Sequence, residues 1–152
     1  MNSVLSPSGE PSVPVIALDG AESVQGRAFF AISALYWCAP WLSRVEIRLI
    51  DVMNEDVALA AAVFEADTGN KLTIYRPSGR SPLAGSDLYA AAAFRSASHL
   101  RLEEAQLTKI PVILALQFPE PSFVNSSIFM QKAAFDPKIF AERLYTTVES
   151  WI

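Results

Sequence analysis

Few residues in this 152-residue chain have types suited to chemistry. It holds one cysteine, Cys38, and one histidine, His99. A single thiol excludes an internal disulfide framework and any multi-thiolate zinc site, and a single imidazole excludes a multi-histidine metal site. Cys38 ends an aromatic, uncharged stretch in which nothing nearby in sequence would lower its pKa, so it reads as a buried, inert thiol. His99 lies near Glu103 and Glu104, but a general base also needs a nucleophile, and no Gly-x-Ser-x-Gly or Ser-x-x-Lys pattern accompanies it. A surface or helix-terminal role fits it better. Asp51, Asn54, Glu55 and Asp56 offer the oxygen donors that suit calcium, yet their spacing matches no EF-hand loop, and turns favour the same residue types. The sequence therefore predicts no catalytic set, no metal site and no cofactor.

The loop PSGRSPLAGS raises one further possibility. Arg76 and Arg80 flank its glycine and serine, and Ser86 is placed to cap a helix running through Asp87 and the alanines to about Ser98. Free amides and the positive end of a helix dipole attract anions, so Arg76, Arg80 and Ser86 form a candidate site for phosphate or carboxylate. The loop lacks both the Lys-Ser/Thr ending of a P-loop and the Gly-x-Gly-x-x-Gly fingerprint. The plainer reading is a connection whose arginines stay wet.

The elements that must carry these residues follow from periodicity. Met1 to Pro14, rich in Ser and Pro, reads as a flexible leader (1–14), followed by one domain over 15–152. Val13 to Leu18 is a short apolar run ended by Asp19-Gly20, read as a small edge strand or a docked leader. Val24, Ala28, Ala31, Leu35 and Cys38 recur at helical spacing, and Pro40 ends that helix. RVEIRLIDV alternates strictly, with Val45, Ile47 and Leu49 on one side, as a strand with one wet face does. In VALAAAVFEADTGNKLTIYRP the alanines favour helix, while Asp67-Thr68-Gly69-Asn70 signals a turn. It is read as two paired strands, Val57–Ala66 and Lys71–Arg76. For Arg101 to Lys109, helix and strand both stay open. VILALQF suits a central strand covered on both faces, and SSIFMQKAAF suits another strand. Asp136-Pro137 then opens an amphipathic helix with the stripe Phe140, Leu144, Val148 and Trp151.

These readings sum to an α+β domain of order α-β-β-β-α-β-β-α, with helices on an antiparallel or mixed sheet of about five strands. The residues are 51% apolar and 18% charged, which excludes a disordered segment. A net charge of −4, with twelve scattered basic residues, excludes nucleic-acid binding by counterion release. The uncharged run Ala28–Ser43 is too short to span a bilayer. No secretory signal is visible, so a cytoplasmic location and no membrane partner are expected.

This element order, with the terminal SIFMQKAAF and FDPKIFAERLYTTVESW, resembles the dedicated chaperones of type III secretion effectors and their structural relatives. The resemblance implies a homodimer that wraps an extended segment of a partner. Many large apolar residues for one small core also point to a subunit or partner surface, or else to generous packing. The expected function is thus a non-enzymatic protein-binding module, a homodimeric chaperone or adaptor. Its contacts would be Phe140, Leu144, Val148, Trp151, Leu72 and Ile74, with the edge of KLTIYR open to strand addition. The alternative is a small-ligand binder or enzyme with its anion site at the 76–86 loop.

Overall fold

The computed structural model describes residues 4–5, 11–19, 27–50, 55–75, 81, 83–92, 99–116, 130–134 and 136–152. Within the leader, Val4–Leu5 pairs antiparallel with Pro11–Ser12. The described elements then follow in the order β1 (Val15–Asp19), α1 (Arg27–Cys38), β2 (Glu46–Ile50), α2 (Glu55–Thr68), β3 (Leu72–Tyr75), β4 (Leu88–Ala92), α3 (His99–Leu107), β5 (Val112–Leu116), β6 (Met130–Ala134) and α4 (Pro137–Val148). A 3₁₀ turn over Ala39–Arg44, opened by Pro40, joins α1 to β2. Among the described residues no helix is long and apolar enough to cross a membrane.

The six strands form one sheet in the order β3-β2-β1-β4-β5-β6, and every pair is parallel. The expected α+β fold with an antiparallel or mixed sheet is therefore corrected to α/β. Four local readings need correcting. Val57–Ala66 is not a strand but part of α2, where its alanines follow their helical propensity. The turn signal after it ends that helix instead of closing a hairpin. Gly69 adopts φ +72, and its N–H reaches the Glu65 carbonyl at 2.9 Å. Ala90, Ala91 and Ala92 belong to β4, not to a helix, because small side chains suit a strand packed on both faces. Finally, the Val13–Leu18 run is no edge strand. β1 lies between β2 and β4, with Ile16, Ala17 and Leu18 fully buried.

The two faces of the sheet pack different layers. Ile16, Leu18, Ile47, Leu49, Leu88 and Ile113 face α1, α2 and α4, where Phe30 meets Phe140 edge to face at 5.6 Å. Ala17, Ile50, Tyr89, Ala91, Val112 and Leu114 face α3 through Leu102 and Ala105. Asp136 caps α4 by accepting from the backbone N–H groups of Lys138 and Ile139, and Pro137 occupies the first turn. The segment Arg101–Lys109 resolves as the body and end of α3. Lys109 takes φ +62, while Ile110 N–H bonds the Ala105 carbonyl at 2.8 Å and Lys109 N–H bonds that of Gln106 at 3.3 Å. This double closure is a Schellman motif with lysine where glycine is usual.

Candidate functional site

In an open parallel sheet, ligands bind beyond the carboxyl ends of the strands, where the strand order reverses. Here β1 connects outward to β2, while β4 lies on its other side, so the reversal falls between β1 and β4. Asp19 is the last paired residue of β1 and stands opposite Ala91 of β4. Its side chain is 1% exposed, and its Oδ2 accepts the Tyr89 hydroxyl at 2.5 Å. Alternation along the strands puts both side chains on the face that α3 covers. A buried carboxylate needs such a donor to offset its lost hydration.

Two helices open onto this edge: α1 follows β1 and α3 follows β4. Neither has an acidic residue in its first turn. By sequence these turns carry Arg27, and His99 with Arg101. Each helix start leaves backbone N–H groups without helical partners and carries the positive end of a dipole, the electrostatic opposite of the buried Asp19. The connecting segments 20–26 and 93–98 lie outside the described residues.

Polar contacts also tie down the 81–87 segment, which leads into the amino end of β4. Ser81 Oγ donates to Glu104 Oε2 of α3 at 2.5 Å and accepts the Leu83 N–H at 3.1 Å. Leu83 is fully buried beneath α3. Gly85, at φ +78, turns the chain toward β4. Arg48 donates to the Ala84 carbonyl at 2.8 Å, lies 3.5 Å from Glu46 and covers the Tyr75 ring at 5.2 Å. This arginine therefore serves as a strut between β2 and the 81–87 segment.

The residues singled out in the sequence fall in several places. Phe140, Leu144 and Val148 are fully buried in the chain's own core, Leu72 is buried with them, and Ile74 and Trp151 pack at its margin. β3 lies at an edge of the sheet. Arg76 and Arg80 lie outside the described residues. Ser86 precedes a strand, so the helix start that was to make it an anion ligand does not exist there. Its hydroxyl is buried without a hydrogen-bond partner, at the amino end of β4, away from the strand-order reversal. His99, read as following a helix that ends near Ser98, is instead the first residue of α3. Cys38 is buried, and burial pushes its thiol up from 9.0 to about 12. Of the four acidic and amide residues weighed as cation ligands and read as a turn, Glu55 and Asp56 occupy the first turn of α2, where acids complement the dipole, and the rest lie outside the described residues. Among the described residues no group of three or more potential metal ligands gathers.

Asp19 and Tyr89 were the pair that sequence reasoning missed. Asp19 carried a usable signal, an acid closing a short apolar run just before glycine. Tyr89 carried none once the surrounding alanines were taken for helix.

No family model matches this sequence, and no curated protein matches it either. Among solved structures it is similar to a glycosyltransferase from Rickettsia africae ESF-5, with TM-score 0.70 and 18% identity over 91% of this chain and 38% of that one. It is also similar to the GtfA/B complex, with TM-score 0.65 and 15% identity over 89% of this chain and 29% of that one. The chain thus spans well under half the length of either neighbour. At such identities the likeness bears on fold alone: it accords with the correction to α/β, and the element order that suggested the chaperones is not the one this chain adopts.

Proposed function

We propose that this chain is a nucleotide-binding α/β domain of a glycosyltransferase-like protein, which takes the nucleoside diphosphate part of an activated sugar at the β1/β4 reversal. One coincidence carries the reading: at the place where the strand order reverses, two helix starts free of acidic residues flank the buried Asp19–Tyr89 pair. A diphosphate suits the first-turn amides and the positive dipole ends of α1 and α3. The alanines Ala17 and Ala91 keep the sheet surface beside the crevice low. The likeness to a glycosyltransferase supports the choice of a sugar nucleotide over other nucleotides. Binding is the activity proposed for this domain, and sugar transfer would belong to a protein of which such a domain is one part. A cytoplasmic location goes with this reading, since sugar nucleotides are most abundant there.

Calorimetric titration with UDP, GDP, ADP and their glucose conjugates tests it. Saturable binding of at least one, weakened by rising salt as charge pairing requires, is expected. No heat from any of them at millimolar concentration would overturn the proposal.

A second reading rests on a separate observation. α1 and α2 leave between them a groove of about 370 Å³ lined by Phe29, Ile32, Tyr36, Leu59 and Val63. Leu59 is 65% exposed, and Tyr36 and Val63 are exposed as well. Such a patch supports a non-enzymatic protein contact, with a homodimer as its simplest form. Light scattering at micromolar concentration decides, because a species of 16.6 kDa excludes the dimer.

A further inference from the structure

We propose that a second groove, between α1 and α4, is a binding site for a neutral saccharide. It measures about 530 Å³, within the range of small-molecule sites, and is lined by Trp37, Trp41, Lys138, Glu142, Tyr145 and Thr146. It lies at the opposite edge of the sheet from the β1/β4 crevice. α1 runs from the carboxyl end of β1 to the amino end of β2, so its last turn carries Trp37 to the amino edge, and Trp41 sits in the 3₁₀ turn that leads into β2.

A pyranose ring presents a flat face of C–H bonds rimmed by hydroxyl groups. Its receptor needs an aromatic plane with hydrogen-bond donors and acceptors beside it, and this groove has both. Trp37 leaves 58% of its surface exposed, and the Lys138 ammonium lies 5.4 Å from its ring centroid, a cation–π contact that holds the indole plane in place. Trp41 and Tyr145 meet at 5.5 Å with their planes inclined at 55°, forming a second aromatic wall. On α4, Lys138, Glu142, Tyr145 and Thr146 recur at three and four residues and so share one stripe. The Thr146 hydroxyl donates to the Glu142 carbonyl at 2.9 Å, which commits its proton and keeps its oxygen as an acceptor for a ligand hydroxyl.

Charge selects among ligands. One ammonium and one carboxylate face the groove and offset each other, so it offers an anion no net attraction, and a neutral sugar needs none. An apolar peptide segment would leave Lys138, Glu142 and Thr146 covered without partners. The site stands on these contacts and does not depend on nucleotide binding at the other edge.

The test is an NMR titration of the full chain with maltohexaose, cellohexaose and chitohexaose in separate arms, following the indole N–H resonances of its three tryptophans. Saturable shifts at Trp37 and Trp41, larger than at Trp151, are expected with at least one of the three sugars. Trp37→Ala removes an exposed ring and should weaken that binding by about tenfold or more. Glu142→Ala, at an exposed position of α4, should weaken it as well. No saturable shift with any sugar at millimolar concentration would overturn the proposal, and so would binding that is unchanged in both variants. If the same indoles shift with protein concentration alone while the mass doubles, a second copy fills the groove and the saccharide site is excluded.

Discussion

The two faces of the sheet are built from different side chains. Toward α1, α2 and α4 most are long and branched, Ile16, Leu18, Ile47, Leu49 and Leu88, with Ala90 and Ala115 among them, and they meet the rings of Phe30, Phe64 and Phe140. Toward α3 they are smaller at the centre, Ala17 and Ala91, and one polar pair, Asp19 with Tyr89, is enclosed at the carboxyl edge. Apolar burial scales with area, so the first face supplies most of the stability. That surplus offsets the cost of keeping a carboxylate out of water on the second face, next to the crevice where a ligand would use the polarity.

The largest effect should come from the first face. Leu144 is fully buried between α4 and the core, and Leu144→Ala should cost about 2–5 kcal/mol in urea unfolding. An unchanged midpoint would show that α4 is peripheral. On the second face, Tyr89→Phe removes the hydroxyl that donates to Asp19 and should cost about 1.5–3 kcal/mol, a hydrogen bond to a charged group having been lost. A neutral result would mean that Asp19 does not rely on Tyr89, and the contrast between the faces would fail.

Alkaline pH probes how dry the first face is. The Cys38 thiol is raised from 9.0 to about 12 by burial, so above pH 9 the unfolded chain sheds a proton that the folded chain keeps. Stability from this group is complete below pH 9 and falls by about 1.4 kcal/mol per pH unit from there toward pH 12. Cys38→Ala should lose that component of the slope, read from unfolding midpoints at pH 8, 9 and 10. The smallest expected effect is a gain. Lys109 holds a left-handed conformation at the end of α3, and Lys109→Gly should stabilise by about 0.5–1 kcal/mol, seen as a raised Tm.

Legibility in the sequence followed the strength of each local signal. The alternation of RVEIRLI and the unbroken VILAL marked β2 and β5, and Asp136-Pro137 marked the start of α4 to the residue. Alanine-rich stretches were where reading failed, because alanine suits both a helix and a strand packed closely on two faces. Val57–Ala66 and Leu88–Ala92 were each assigned the wrong way round, and the two exchanges hid the β-α-β-α-β order of the first half of the sheet behind an apparent hairpin. Sheet direction went with them, since parallel pairing is implied by helical crossovers and not by any residue within a strand. The candidate site was hidden for the same reason. Asp19 and Tyr89 lie 70 positions apart, and only parallel pairing of β1 with β4 brings them together.

The most direct measurement on the nucleotide-binding proposal is backbone amide shift mapping of the full chain during titration with UDP and, separately, GDP. The account predicts saturable shifts concentrated at Asp19, Ala91 and the first turns of α1 and α3, with the α1–α4 groove unmoved. Shifts confined to the amino edge of the sheet, or no saturable shift with either nucleotide, would contradict it.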